Sequence, residues 1–186
     1  MVLSKPQMYI LDTLHDFRCL RTVHIEMLLQ ARYSTTGRQV EAMLRQLRVK
    51  GKVMIRDDCI MLPGRAADAS ILRSFDVMLA LTGARNIEIF PSAPPFVLLF
   101  DLPERNGETA RFGIIDANSP RVNAQCANVR LANENTRRFI DTEASADMTV
   151  LFMISEEEQS QSIHTSSQHY FALHDGNNNV RFFVNE

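Results

Sequence analysis

The chain has 186 residues, of which 45% are hydrophobic and 23% are charged, and its formal net charge at pH 7 is −2. This apolar fraction is ordinary for globular proteins, so the composition argues against a disordered chain and suits one or two domains. No apolar run approaches the ~20 residues of a membrane span, and the first residues lack the apolar core of a signal peptide. We therefore expect a cytoplasmic protein without membrane association.

Charge is distributed unevenly along the chain. Residues 1–65 contain 11 Lys and Arg against 6 Asp and Glu, a net charge of +5, whereas the remainder carries a net charge of −7. This asymmetry predicts two domains, at 1–65 and 66–186, with different partners. A polyanion is expected to meet the basic first domain. The acidic second domain is expected to supply dimerisation, a protein partner or a sensed ligand.

Two helices are predicted before residue 35. Ser4 and Gln7 form a capping box, and the apolar spacing that follows indicates a helix over Lys5–Phe17. A break is predicted at Arg18–Arg21. A second, short helix is then predicted over Val23–Ala31.

The run Thr35–Gly51 predicts a third, amphipathic helix. Thr36 and Gln39 form a capping box at its start, and one face carries an apolar stripe made of Val40, Met43, Leu44 and Leu47. Three residues point away from that stripe: Arg38, Ala42 and Arg45. A small helix with an apolar back and an arginine- and glutamine-rich front suits the DNA major groove. Taken alone, the same pattern also describes a solvated surface helix.

Two strands are predicted after this helix, over Lys52–Arg56 and Cys59–Leu62, with Asp57-Asp58 at the turn. The order of helix, short helix, tight turn, basic helix and β-hairpin resembles the winged helix-turn-helix family. The residues that carry the resemblance are RTVHIEMLLQARYSTTGRQVEAMLRQLRVKGKVMIR, residues 21–56, and the resemblance covers about the first third of the chain. In that family the third helix enters the major groove, and the hairpin, or wing, touches the DNA backbone.

The resemblance assigns roles to individual side chains. The residues expected to face base edges are Arg38, Gln39 and Arg45. The residues expected to meet phosphates are Thr35, Arg48, Lys52 and Arg56. Asp57 and Asp58 would repel a phosphate backbone, which argues against wing contacts. Many winged helices instead dock proteins, so a protein-interaction adaptor is the alternative.

The second domain is predicted to follow a short boundary at Pro63–Ala67. A helix beginning at Asp68 or Ser70 ends at Gly83. Strands are predicted over Ile87–Phe90, Phe96–Asp101, Arg111–Ala117, Met148–Ile154, Tyr170–Leu173 and Val180–Val184. A short helix is expected after Ser155, and further helical structure is expected from Pro120 and over Asn133–Thr142. The predicted fold class is therefore α+β, with a mixed sheet in the C-terminal domain.

This layout resembles the core of the PD-(D/E)XK nuclease-like fold. A winged helix ahead of such a core resembles replication-relaxation type proteins, which plasmids and integrative elements carry. That resemblance implies a DNA-linked role in the transcription, replication or transfer of a mobile element.

The nuclease reaction requires an acid on the second strand of that core and an acid-x-Lys sequence on the third, because the acids hold a divalent metal. Here the third strand offers Asp116-Ala117-Asn118, and no lysine follows Lys52. The core is therefore predicted to be inactive, with Asp101 and Asp116 as the fallback metal-binding pair if cleavage occurs. No phosphate-binding glycine loop and no GxSxG sequence is present.

The three cysteines, Cys19, Cys59 and Cys126, lie far apart in the sequence and predict neither a disulfide framework nor a zinc site. The leading hypothesis is a non-enzymatic protein that binds double-stranded DNA, without a cofactor or metal. A homodimer is expected, because one small DNA-binding domain alone has limited affinity for DNA. The alternatives are the protein-interaction adaptor and a metal-dependent nuclease.

Overall fold

The structure is a computed structural model, and it describes residues 2–83, 85, 87–92, 95–104, 107–118, 148–163, 168–175 and 179–184. Within these ranges the chain forms four α-helices, one 3₁₀ helix and two β-sheets. They divide between a first unit, Met1–Asn86, and a second unit, Ile87–Glu186. This combination of helices with a mixed sheet confirms the predicted α+β class.

Three helices of the first unit follow the sequence prediction closely. They are α1 (Lys5–Phe17), α2 (Thr22–Tyr33) and α3 (Gly37–Val49). Both predicted capping boxes are present, with Ser4 and Gln7 at the start of α1 and Thr36 and Gln39 at the start of α3. Each box satisfies backbone N–H groups that the first helical turn leaves without intrahelical partners.

The predicted break at Arg18–Arg21 separates α1 from α2, and within it Cys19–Arg21 forms a strand, β1, that was not predicted. It pairs with β3 (Cys59–Met61), which also pairs with β2 (Met54–Arg56), and the sheet order is β1-β3-β2. Cys19 and Leu20 are fully buried. A three-residue strand is too short to show an alternating pattern, and its partner lies far along the chain.

The hairpin between β2 and β3 turns at Asp57 and Asp58, as predicted. Their φ angles are 47° and 63°. Positive φ at both central residues is the requirement of a type I′ turn, whose twist matches that of the flanking strands, and Asp tolerates this conformation. The loop between the strands therefore contains two residues.

Helix α4 (Ala69–Thr82) belongs to the first unit. The Phe75 ring packs edge-on against Phe17 with a centroid distance of 5.2 Å, and Ile71 and Leu72 pack against a buried cluster of Cys19, Cys59 and Met61. The unit thus ends later than the expected boundary between residues 65 and 66, because α4 completes the core around β1 and β3.

The second unit contains six strands: β4 (Glu88–Phe90), β5 (Leu98–Pro103), β6 (Thr109–Asp116), β7 (Thr149–Ile154), β8 (His169–His174) and β9 (Val180–Phe183). They form one sheet in sequential order. The β6–β7 and β7–β8 pairs are parallel, whereas the other pairs are antiparallel. The sheet is therefore mixed, as predicted.

The connections in the second unit are described in part. The 3₁₀ helix Glu157–Ser162 lies where a short helix was predicted. The predicted helices at Pro120 and Asn133–Thr142 lie outside the described residues. None of the helices in the described ranges combines the length and apolar character that crossing a membrane requires.

The core of the second unit packs closely around β7, whose six residues are all buried. Gly113 on neighbouring β6 illustrates the packing. A Cβ atom built on Gly113 would lie 2.6 Å from the Phe96 ring and 3.1 Å from the Leu99 side chain. The absence of a side chain at this position therefore gives the Phe96 ring its place in the core.

Candidate nucleic-acid interface

Helix α3 presents opposite chemistry on its two sides. Val40, Leu44 and Leu47 are buried, at 1%, 4% and 0% relative exposure. The exposed residues of the helix include Arg38, Gln39, Glu41, Ala42, Arg45, Gln46 and Arg48. The apolar stripe thus fixes the helix in the first unit, and the arginine-rich side faces solvent.

Positive charge is concentrated in residues 32–56, which we term the basic segment. Its seven basic residues are all exposed: Arg32, Arg38, Arg45, Arg48, Lys50, Lys52 and Arg56. Glu41 is the one acidic residue in the segment. Arg32 lies over the Tyr9 ring, 5.1 Å from its centroid, whereas none of the other six forms an ion pair with a described residue. This excess of cations attracts anionic partners.

Gln39 holds the start of α3. Its Oε1 accepts hydrogen bonds from the Thr36 backbone N–H at 2.8 Å and from Thr36 Oγ1 at 3.3 Å. In return, Thr36 Oγ1 accepts a hydrogen bond from the Gln39 backbone N–H at 3.4 Å. The predicted base-reading amide is therefore exposed, but its acceptor oxygen already has partners within the helix start.

Two further contacts position α3 within the first unit. Gln7 Nε2 on α1 donates to Gln46 Oε1 at 2.8 Å. A Cβ atom built on Gly37 would lie 3.6 Å from Glu26 Oε1, so a carboxylate of α2 lies beside the first turn of α3. A negative charge there is favourable because the helix dipole is positive at its N-terminus.

The four residues predicted to meet phosphates differ in accessibility. Arg48, Lys52 and Arg56 are exposed. Thr35 is half-buried, and its Oγ1 is buried without a hydrogen-bond partner among the described residues. The Thr35 hydroxyl would have to rotate outward before it could donate to a phosphate.

The hairpin turn carries two exposed carboxylates beside the basic segment. Asp57 and Asp58 are both exposed, as the sequence implied. The Asp58 carbonyl accepts a hydrogen bond from the Thr22 backbone N–H at 3.2 Å, which anchors the turn to the first residue of α2. The turn is thus short, acidic and tied to the helical part of the unit.

Asp101 and Asp116, the fallback metal-binding pair, are not brought together. Asp101 pairs in register with Arg111 across β5 and β6, and Asp116 lies five residues further along β6. That separation corresponds to ~17 Å along the strand and places the two side chains on opposite faces of the sheet. The strand register therefore does not support this fallback pair as a shared metal site.

Both carboxylates also have protein partners. The Arg111 guanidinium donates from Nε and Nη2 to the two oxygens of Asp101, each at 2.7 Å, and these bonds raise the pKa of Arg111. Asp116 Oδ1 accepts hydrogen bonds from the backbone N–H and the side-chain amide of Asn118, at 3.0 and 2.9 Å. Asp101 thus stabilises the β5–β6 pair, and Asp116 shapes the end of β6.

A buried polar cluster in the first unit was not predicted from the sequence. Asp76 on α4 accepts hydrogen bonds from Arg21 Nη1, at 2.6 and 2.5 Å, and from His24 Nε2 at 2.7 Å. His24 Nδ1 accepts a hydrogen bond from the Arg21 backbone N–H at 3.3 Å, so Nε2 carries the proton that faces Asp76. The available signal was an acidic residue within the apolar run SFDVML of α4.

Cys19 and Cys59 are buried free thiols in the first unit. Burial, followed by the neighbouring Cys19 thiol, raises the pKa of Cys59 to about 11. Cys19 Sγ accepts a hydrogen bond from the Asp68 backbone N–H at 3.1 Å. Because the thiolate is the reactive form, Cys59 is an inert core residue at neutral pH.

No protein-family model matches the chain, and a search of curated proteins returned no match. Among solved structures, the restriction endonuclease FokI bound to DNA is similar with a TM-score of 0.28 and 9% sequence identity. The similarity covers 84% of this chain and 40% of that chain. A similarity of this size does not establish a shared fold, so inferences about function rest on the geometry of the chain itself.

Proposed function

We propose that the chain is a non-enzymatic protein that binds double-stranded DNA through its first unit, with α3 in the major groove. The observation that carries the proposal is the exposed arginine side of α3 within the basic segment. Arg38 and Arg45 lie on the side opposite the buried stripe and form no ion pair with a described residue. DNA supplies both phosphates and base-edge acceptors for such side chains.

The order of elements in the first unit supports its assignment as a winged helix-turn-helix domain. Helices α2 and α3 are separated by three residues, with Ser34 in a left-handed conformation, and the β2–β3 hairpin follows directly. In this arrangement α3 is the helix that reads bases. Arg48, Lys52 and Arg56 are proposed to meet phosphates, which supply affinity without sequence information.

The wing is proposed to contribute little to DNA binding. A two-residue turn offers little reach, and the Asp57 and Asp58 carboxylates would repel phosphates at close range. Binding would then depend on α3 and the residues that immediately follow it. A small DNA interface of this kind favours a homodimer, because binding to two half-sites compensates for the limited affinity of a single DNA-binding domain.

The second unit is proposed to supply that dimerisation or a protein partner. It carries net negative charge, whereas the first unit carries 13 Lys and Arg against 8 Asp and Glu. An acidic sheet domain is a poor surface for a polyanion. The resemblance to replication-relaxation type proteins favours a role in regulating transcription, replication or transfer of a mobile element.

Retention of a random 30-base-pair duplex pool at low salt tests the proposal. The wild-type protein should bind with an affinity that falls steeply as salt rises, because phosphate neutralisation releases counterions. The double variant Arg38→Ala, Arg45→Ala should lose most of this binding while its circular dichroism spectrum stays unchanged. The matched control is Arg65→Ala, Arg85→Ala, which removes two exposed arginines of the same unit outside the basic segment.

Equal loss in both double variants would show that total charge alone governs binding and would contradict a role for α3. An absence of duplex binding by the wild-type protein at low salt would end the DNA-binding proposal in favour of protein docking. The non-enzymatic part is tested by incubating duplex DNA with the protein and Mg²⁺ or Mn²⁺. Cleavage that disappears in Asp116→Ala would overturn it.

A further inference from the structure

The polar side chains on the exposed side of α3 differ in how much of their hydrogen-bonding capacity the protein already uses. Gln39 Oε1 accepts from the Thr36 backbone N–H at 2.8 Å, and Gln46 Oε1 accepts from Gln7 Nε2 at 2.8 Å. Glutamine reads adenine by offering its oxygen and its amide group together. To do so here, Gln39 would give up the helix cap, and Gln46 would give up the bond that joins α3 to α1.

Of the glutamines and arginines on this side, the arginines are the ones whose donors remain available for base contacts. Arg38 and Arg45 are exposed and carry only donors, arranged in a planar fork. Guanine presents two acceptors, O6 and N7, on its major-groove edge, and this pair matches a bidentate guanidinium. Adenine presents one acceptor and one donor there, so an arginine fork discriminates against it. The chemistry of the free groups on α3 thus favours guanine.

The spacing along α3 gives the separation of the contacted bases. Arg38 and Arg45 are seven residues apart, which corresponds to ~10.5 Å along the helix axis. Base pairs are stacked ~3.4 Å apart, so a helix lying along the groove spans about three base pairs between the two arginines. Ala42 lies between them on the same side of the helix. Its methyl group can meet a thymine methyl group, a contact that requires no polar partner.

We infer that the preferred DNA carries two guanines about three base pairs apart, which Arg38 and Arg45 contact in the major groove, with Ala42 facing the base pairs between them. Gln39 and Gln46 then act as positioning residues that hold α3 in place. This inference rests on the proposed function and adds the chemical class of the site that it recognises.

The test begins with selection of a preferred sequence from the random 30-base-pair duplex pool. Each guanine of the selected sequence is then replaced singly by 7-deazaguanine, which lacks N7, or by inosine, which lacks only the minor-groove amino group. At the two contacted positions 7-deazaguanine should weaken binding by about tenfold, whereas inosine should leave it unchanged. A readout through the minor groove would show the opposite pattern and would overturn the inference.

Variants assign the contacts to residues. Arg38→Ala should remove the sensitivity to 7-deazaguanine at one guanine, and Arg45→Ala should remove it at the other. Gln39→Ala should retain both sensitivities, as should the control Arg65→Ala, Arg85→Ala. Loss of both sensitivities in Gln39→Ala, with its helix content intact, would make Gln39 a reading residue and overturn its positioning role.

The outcomes separate this inference from the proposed function. Strong duplex binding without guanine enrichment, or without any response to 7-deazaguanine, would overturn guanine recognition and leave DNA binding standing. No retention of any duplex would instead remove the proposed function and, with it, the basis for guanine recognition.

Discussion

His24 Nε2 donates a hydrogen bond to Asp76 Oδ1 over 2.7 Å, and the bond joins two residues that are 52 positions apart in the sequence. The Arg21 guanidinium donates hydrogen bonds to the same carboxylate, and the Asp76 side chain is 5% exposed. Hydrogen bonds to an ionised carboxylate are stronger than hydrogen bonds between neutral groups. When such a network is buried, the loss of one member is costly because it leaves the others without a hydrogen-bond partner. The cluster therefore ties α4 to β1 and α2.

Replacing Asp76 tests how much the cluster contributes. Asp76→Ala should lower the free energy of unfolding of the first unit by about 3 kcal/mol, because it leaves the buried His24 imidazole and the partly buried Arg21 guanidinium without their acceptor. Urea denaturation followed by circular dichroism measures the change. The control is Asp12→Ala, which removes an exposed carboxylate of α1 and should have little effect. Equal stability of the two variants would contradict a structural role for Asp76.

The Cys59 thiol predicts a loss of stability at alkaline pH. Burial raises its pKa from an ordinary value near 9 to about 11, so the folded protein holds this proton more tightly than the unfolded chain. The associated stability is complete below pH 9 and is lost as the pH rises to 11, with a total of about 3 kcal/mol at most.

The slope of unfolding free energy against pH should therefore be steeper in the wild-type protein than in Cys59→Ala between pH 9 and 11. Urea titrations of both proteins at several pH values measure it. Parallel slopes would show that the thiol does not titrate differently in the folded and unfolded chains. The comparison of slopes is needed because tyrosines and lysines also titrate in this range.

The close packing around Gly113 leads us to expect that a larger residue at this position lowers the stability of the second unit. Gly113→Ala should destabilise that unit by about 1–3 kcal/mol, because the new methyl group would collide with the Phe96 ring. Gly37→Ala is the matched substitution, since its Cβ would meet its nearest neighbour at an ordinary 3.6 Å. Thermal unfolding of the two variants should show a lower midpoint for Gly113→Ala alone. An unchanged midpoint would mean that the Phe96 ring moves aside freely.

The proposed phosphate contacts predict a change in salt dependence rather than in sequence preference. Arg48→Ala and Lys52→Ala should each reduce the slope of log K against log salt concentration by about 1, while the selected DNA sequence stays the same. Binding titrations over a salt series measure the slope. A change in the selected sequence would assign the altered residue to base reading instead.

Local signals in the sequence were sufficient for the elements that carry the proposed interface. The Thr36–Gln39 capping box and the apolar stripe of α3 involve residues within a few positions of one another, and the structure contains both. The same holds for Asp57-Asp58, where the residue type and the turn geometry agree. The exposed side of α3 could therefore be identified before its surroundings were known.

Features that depend on distant pairing could not be identified in this way. β1 exists because Cys19 pairs with Met61, and no pattern within three residues reveals such a partner. For the Asp101 and Asp116 pair, the sequence indicated the strands but not the register. Pairing of Asp101 with Arg111 separates the two carboxylates. Similarly, the sequence predicted two roles for the Gln39 side chain, as part of the helix cap and as a contact to DNA bases. The hydrogen bonds between Gln39 and Thr36 favour the cap.

The place of α4 determines where the first unit could be separated for use as a module. A cut after Arg65 would follow the sequence boundary, but it would remove Phe75 from contact with Phe17 and take away the acceptor of Arg21 and His24. A graft that carries α3 into another protein should therefore extend to Asn86, with α4 as part of the transplanted piece.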